Sequence, residues 1–388
     1  MKKPLCFIIA VFLLPFTKSV FAYDVAAYVW PAYHDEPRYQ DIGLFPEHKG
    51  EWEGIYYAQP RFKGHQQPRI PKWGYFDESS PRMQEKIIKT ATKYGVNTFI
   101  FDWYWYDGKP FLENVLNEGF LKARNCQKMR FYLMWANHTA NSYWDRTATD
   151  KGHVYWKGEV DRETFENLTD HVIRDYFSQP NYYRIDGLPV FAIYEIGTFI
   201  RGMGGMEQAR EALESFRQKC REAGLPGVHL QAIVWSALPS TISATPGDKS
   251  ETQDHTIRFL GFNSLTNYQW CHLEPTNRDY SDWGEAAISR WEQYDRDFSV
   301  PYFPHVSIDW DPNPRYPIEH EAQNVVFNVT PKKFEHFLRL AKAYIDAHPQ
   351  QPPLITINAW NEWAEGSYLE PDTENGYGFL KAVKRVFK

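Results

Sequence analysis

At 388 residues the chain can fill one barrel with insertions or two average domains, and 43% hydrophobic with 17% aromatic residues marks it as an ordered globular protein. Its 43 basic and 49 acidic residues lack the basic excess that a phosphate backbone demands, which excludes nucleic acid as a partner. The 15 Trp, 25 Tyr and 26 Phe exceed the needs of a core, and surplus rings at strand ends suit stacking on sugars.

Met1 to Ala22 reads as a secretory signal, with Lys2-Lys3 at its start, an apolar middle from Leu5 to Phe16, and Val20-Phe21-Ala22 before Tyr23. It is too short for a stable membrane span, so a secreted or periplasmic protein is expected. Cys6 leaves with the signal. Cys126, Cys220 and Cys271 are too few and too far apart for a disulfide framework or a zinc site, and read as free thiols.

Asp24 to His34 is the first expected strand, followed by a long Pro-, Gly- and aromatic-rich loop over Asp35 to Ser80. Ser80-Pro81 opens a helix whose apolar stripe is Met83, Ile87, Ile88, Ala91 and Tyr94, and Gly95 ends it. Val96 to Phe101 is a strand, Phe111 to Arg124 a helix, and Arg130 to Met134 the third strand. A helix over Asp161 to Phe177 leads to a strand at Pro189 to Ile193, and a helix over Glu207 to Ala223 leads to one at Val228 to Trp235. After a polar loop from Pro239 to Thr256, a sixth strand falls near Phe262 to Tyr268. Trp283 to Phe298 is helical, Tyr302 to Ser307 is the seventh strand, and Thr330-Pro331 caps a long helix. Pro353 to Ile357 is the eighth strand and Gly378 to Phe387 a last helix. Eight such alternations predict a single (β/α)₈ barrel over residues 23–388, with its site at the C-terminal strand ends.

The eighth strand runs directly into Asn358-Ala359-Trp360-Asn361-Glu362-Trp363-Ala364-Glu365-Gly366. Two glutamates three residues apart are most often a solvated pair, but here an apolar strand delivers them among Trp360, Asn361 and Trp363. Paired carboxyls in aromatic company suit glycosidic-bond chemistry, in which one protonates the leaving oxygen while the other stays ionised. Candidate substrate contacts at the other strand ends are Trp30 and His34, Asp102, Trp103 and Trp105, Trp135, Asn137 and His138, Tyr194 and Glu195, Trp235, Tyr268, and Asp309 with Trp310. Neighbouring strand residues face opposite ways, so part of the Asp102–Trp105 set packs under helices instead. His138 reads equally as a structural histidine, and Asp309-Trp310-Asp311 before Pro312 and Pro314 equally as a turn. No P-loop, dinucleotide-binding turn, His-Glu-x-x-His or Gly-x-Ser-x-Gly occurs, so no cofactor is implied.

Trp360 to Gly366 followed by Leu369-Glu370-Pro371, with Phe131 to Asn137 and Tyr94-Gly95-Val96 before Asp102-Trp103-Tyr104-Trp105, resembles the glycoside hydrolase family 99-like group, which includes WbsX-like glycosyltransferase domains. The resemblance implies a metal-free barrel and, in the hydrolase family, retaining endo-cleavage of α-mannosidic linkages. It further implies Glu362 as the base that deprotonates the sugar 2-hydroxyl, giving a 1,2-anhydro intermediate, and Glu365 as the general acid that later activates water. A third carboxylate beside the acid, such as Asp102 or Glu195, would make a covalent double displacement the simpler account.

The leading expectation is therefore an exported, monomeric glycoside hydrolase acting on an α-linked, mannan-like polysaccharide. A glycosyltransferase of polysaccharide assembly and a non-catalytic carbohydrate-binding barrel are the alternatives.

Overall fold

The computed structural model describes residues 22–235 and 253–388. The expected signal up to residue 21 and most of the expected Pro239–Thr256 loop lie outside the described residues. Eight parallel strands line the barrel: β1 (Asp24–Val29), β2 (Thr98–Tyr106), β3 (Arg130–Trp135), β4 (Leu188–Ile193), β5 (His229–Ile233), β6 (Ser264–Thr266), β7 (His305–Ser307) and β8 (Leu354–Asn358). Each pairs with its successor from β1 to β6, β7 pairs with β8, and β8 with β1. Between β6 and β7 the closure is thin: Leu265 N donates to Pro301 O at 2.9 Å, and Phe303 N to Leu265 O at 2.8 Å. The expected (β/α)₈ barrel is thus present, nearly closed.

The outer layer comprises α1 (Pro81–Tyr94), α2 (Arg162–Val172), α3 (Ile196–Met203), α4 (Met206–Glu222), α5 (Gln253–Leu260), α6 (Tyr280–Ile288), α7 (Arg290–Asp297), α8 (Pro331–Ala347) and α9 (Gly378–Phe387). α1 ends on Gly95 at φ 103°, a left-handed turn that glycine adopts without strain, and Thr330 caps α8 by accepting from Lys333 N. Cys126, Cys220 and Cys271 are free thiols. Among the described residues no helix is long and apolar enough to cross a membrane.

Three expected elements differ. No helix spans Phe111 to Arg124; Lys109–Phe111 folds back antiparallel on the end of β2, and a π-helical turn follows at Val115–Phe120. The cause is Asp107-Gly108, both at positive φ (54° and 72°), the two-residue turn that matches hairpin twist. The expected Trp283–Phe298 helix is two, α6 and α7, and begins earlier because Asp279 accepts from Ser281 N. The Asp35–Ser80 loop contains short helices at Pro37–Asp41 and Trp52–Tyr56.

Period-two alternation decides what reaches the barrel mouth. On β2, Phe99 and Phe101 face outward onto Phe120, each contributing about 1.5–3 kcal/mol by burial. The residues between them face inward, and because β2 continues past Phe101 to Tyr106, the same parity carries Asp102 and Tyr104 to the inner mouth.

Candidate active site

A cleft of about 590 Å³ opens at the C-terminal strand ends, with Asp102, Glu362 and Glu365 among its lining residues and Trp30, Tyr104, Trp144, Tyr194, Trp235 and Trp310 supplying rings. Behind the glutamates lies a buried cation. Arg315 Nη1 donates to Glu365 Oε1, Arg315 Nη2 approaches Glu362 Oε2 at 3.5 Å, and Arg315 Nε donates to Glu51 Oε1 at 2.7 Å. The Trp30 indole also donates to Glu51. One guanidinium therefore holds three carboxyls, all almost fully buried.

Burial, reinforced by the charge of Glu365, pushes the Glu362 carboxyl well above the usual range, with Arg315 opposing. Burial also raises Glu365, against a closer Arg315. Asp102 is raised well above its usual value by burial, and its Oδ1 has no hydrogen-bond partner among the described residues. The Tyr268 hydroxyl lies 2.7 Å from Asp102 Oδ2 and 2.9 Å from Glu362 Oε1. A phenol owns one proton, so making both contacts requires a second proton on one of the two carboxyls. The Asp102–Tyr268–Glu362 chain thus stores a proton beside the cleft, while Glu365, bonded to Arg315, is the more firmly ionised member of the pair.

The motif around the glutamates is largely internal framework. Trp360 and Trp363 turn away from the cleft and both indoles donate to Glu370, at 2.9 and 2.8 Å, whose carboxyl burial pushes up to about 8. Asn361 accepts from Trp30 N and donates to Trp30 O and Glu78 Oε1, tying the motif to β1. Tyr33 OH accepts from Trp363 N at 2.9 Å, which fixes the turn between the glutamates. Gly366 closes that turn at φ 74°, where a Cβ would lie 3.1 Å from Arg69.

Of the residues expected at the site, the structure brings Trp30, Asp102, His138, Tyr194, Trp235, Tyr268, Trp310, Glu362 and Glu365 to the cleft. Burial lowers the His138 imidazole below its usual value. Others point elsewhere. Trp103 and Trp105, on the outward parity of β2, pack on His171, and Trp103 Nε1 donates to Glu113. Trp135 packs against Phe165 and Phe199 beneath the helices. Asn137 bonds the backbone of Glu195, while the Glu195 carboxylate caps α3 through Thr198 N. His34 is buried beside Glu36 at 3.4 Å. Asp309 is paired with Arg69 at 2.8 Å, burial pushing it up to about 6.

The residues that sequence reasoning missed come mainly from loops. Arg315 follows β7 in Asp311-Pro312-Asn313-Pro314, where the prolines read as a turn; an arginine just beyond an acidic strand end was the available signal. Glu51 lies in the aperiodic loop after β1 and has no sequence signal. Lys151 lines the cleft with its ammonium on the carbonyls of Asp145 (2.6 Å) and Arg315 (2.8 Å), and burial lowers it to about 8. His272 stacks on Trp235 at 4.2 Å and is lowered by burial to about 4, so it is neutral at pH 7. Cys271 also lines the cleft, its thiol pushed well up by burial.

Among solved structures the chain is similar to one described as a glycoside hydrolase-like protein (TM-score 0.58, 15% identity, covering 97% of this chain and 96% of that one). It is also similar to the GH99 endo-alpha-mannosidase from Bacteroides thetaiotaomicron (TM-score 0.55, 12% identity, 93% and 95%). At these identities the likeness is one of fold, a glycosidase-like barrel. The uncharacterized protein WxcX of Xanthomonas campestris pv. campestris, in strains B100 and ATCC 33913, is 26% identical over 370 residues, 93% of this chain and 49% of that protein. The chain therefore spans about half the length of the curated relatives it matches. The family described as Glycosyltransferase WbsX matches residues 25–383, and by that match across nearly the whole barrel the chain belongs to this family.

Proposed function

We propose that residues 23–388 form one catalytic domain of an exported glycoside hydrolase that cleaves an α-linked, mannan-like polysaccharide internally and with retention. The observation that carries this reading is the buried Glu362–Glu365 pair gathered by Arg315 at an aromatic-walled cleft. Glu362 takes the proton of the sugar 2-hydroxyl, whose oxygen attacks the anomeric carbon as the glycosidic bond breaks. Glu365 gives its proton to the departing oxygen. Glu365 then deprotonates a water that opens the 1,2-anhydro sugar, and Glu362 returns the proton to the 2-hydroxyl. For its first step Glu365 must release Arg315 or share it with the incoming sugar.

Transfer to a sugar hydroxyl in place of water is the second reading, favoured by the family's description as a glycosyltransferase. Both are tested by incubating the chain, and its Glu362→Gln and Glu365→Gln variants, with a panel of α-linked mannans, with and without oligosaccharide acceptors. Release of reducing oligosaccharides, lost about a thousandfold in both variants, supports hydrolysis. Acceptor elongation without net release supports transfer. Glycan binding with neither reaction overturns both in favour of a binding barrel.

A further inference from the structure

We infer that the outer face of α1 is a second carbohydrate-binding site, a cationic groove that takes an acidic polysaccharide. Arg82, Lys86, Lys89 and Lys93 follow the i, i+4, i+7, i+11 spacing of one helical stripe, opposite the buried Ile87, Ile88 and Ala91. All four are exposed, and Lys128, just before β3, joins them. Two adjoining depressions of about 740 and about 360 Å³ run along this face and share Lys86 and Lys89.

Among the described residues no carboxylate forms a close ion pair with the cations of this stripe. The acid within the groove, Glu85, is engaged by Arg124 through two bonds of 2.7 Å. Among the described residues, Arg82, Lys86, Lys89, Lys93 and Lys128 have no carboxylate ion-pair partner. Like charges three or four residues apart weaken a helix, and Arg82 in the first turn opposes the helix dipole. In a chain of net charge −6 this segregation is local and unfavourable until an anion lies along it.

The anion is assigned from the rings among the ammoniums. Lys86 Nζ sits 4.4 Å from the Trp73 ring and Lys93 Nζ 5.5 Å from Tyr94. Tyr94 stacks on Tyr377 with centroids 5.7 Å apart, and Trp73 Nε1 donates to the Tyr377 hydroxyl. Alternating flat rings and cations match a polymer of sugar rings bearing carboxylates. A membrane surface fits less well, because no large hydrophobic residue of α1 is exposed for insertion. The groove rests on no step of the catalytic reading.

Affinity electrophoresis of the full chain tests it, in gels cast with polygalacturonate, with its methyl ester, or without polymer, comparing wild type, K86E/K89E/K93E and E362Q. The expected result is retardation of wild type and E362Q by polygalacturonate only. Affinity should fall at least tenfold in the triple variant, and similarly when salt rises from about 50 to 200 mM. The inference is overturned by absence of retardation, by retardation that the triple variant keeps or E362Q loses, which places the ligand in the cleft, or by binding to phosphatidylglycerol vesicles without binding to polygalacturonate.

Discussion

Asp102 and Glu362 share one phenol, the Tyr268 hydroxyl standing 2.7 Å from the first carboxyl and 2.9 Å from the second. They are far apart along the chain; β2 and the loop after β8 bring both to the same hydroxyl. Tyr268→Phe removes that shared hydroxyl. Burial already raises Glu362, and a phenol donating at 2.9 Å favours its ionised form, so losing that hydroxyl raises Glu362 further. If Glu362 acts as the base it must be ionised, so the acidic limb of kcat/KM moves to higher pH. Activity near pH 5 is expected to fall several-fold more than activity near pH 8. An unshifted acidic limb would remove Glu362 from the base role.

Proton donor and base can be separated by leaving group. Aryl glycosides with acidic phenols depart without a proton, so the variant that has lost the general acid retains activity on them while the variant that has lost the base does not. With Glu365 as the proposed general acid, Glu365→Gln is the variant expected to be rescued. The hydrogen bonding around the pair favours the reverse, because Arg315 favours ionised Glu365 whereas the chain through Tyr268 keeps a proton next to Glu362. Rescue of Glu362→Gln instead would exchange the two roles.

The barrel was legible because its signals are local: β-branched runs, glycine stops and helix stripes mark all eight strands and most of the outer helices, though not the hairpin after β2 or the helices at Ile196–Met203 and Gln253–Leu260. The glutamate pair was legible for the same reason, a strand running straight into it. What remained hidden depended on parity and on loops. With β2 taken to end at Phe101, the inward face of Asp102-Trp103-Tyr104-Trp105 could not be chosen; its continuation to Tyr106 places Tyr104 in the cleft and both tryptophans outside. Asp107-Gly108 was the missed turn. Glu51 and Arg315 lie 264 positions apart and meet only through the fold.

Parity yields its own test. Trp103→Ala empties a 2%-exposed site behind the barrel wall, and is expected to cost about 3–5 kcal/mol of stability while leaving KM of the folded fraction unchanged. Trp310→Ala removes a partly buried cleft ring, and is expected to change the melting temperature far less than Trp103→Ala while KM rises several-fold, equivalent to about 1 kcal/mol. Thermal denaturation and initial rates on the same two proteins decide the matter. A KM effect confined to Trp103→Ala would mean that β2 is turned the other way.

Arg315→Met should be costly in a way that depends on pH. Arg315 is 4% exposed, and without it Glu51, Glu362 and Glu365 remain buried beside one another with no cation. Leaving such carboxylates unpaired costs about 3–5 kcal/mol. Glu362 and Glu365 already lie above the usual range in the folded chain, and losing the guanidinium raises them further. A carboxyl whose folded pKa exceeds its unfolded value penalises the fold from the unfolded pKa upward, and the penalty disappears as pH falls below that value. The variant is therefore expected to lose most of its stability near pH 8 and to approach wild type near pH 4, read as the difference in urea midpoint at each pH. A deficit that stays constant over that range would mean that Arg315 contributes by packing against Trp30 and Tyr143 rather than by neutralising the carboxyl cluster.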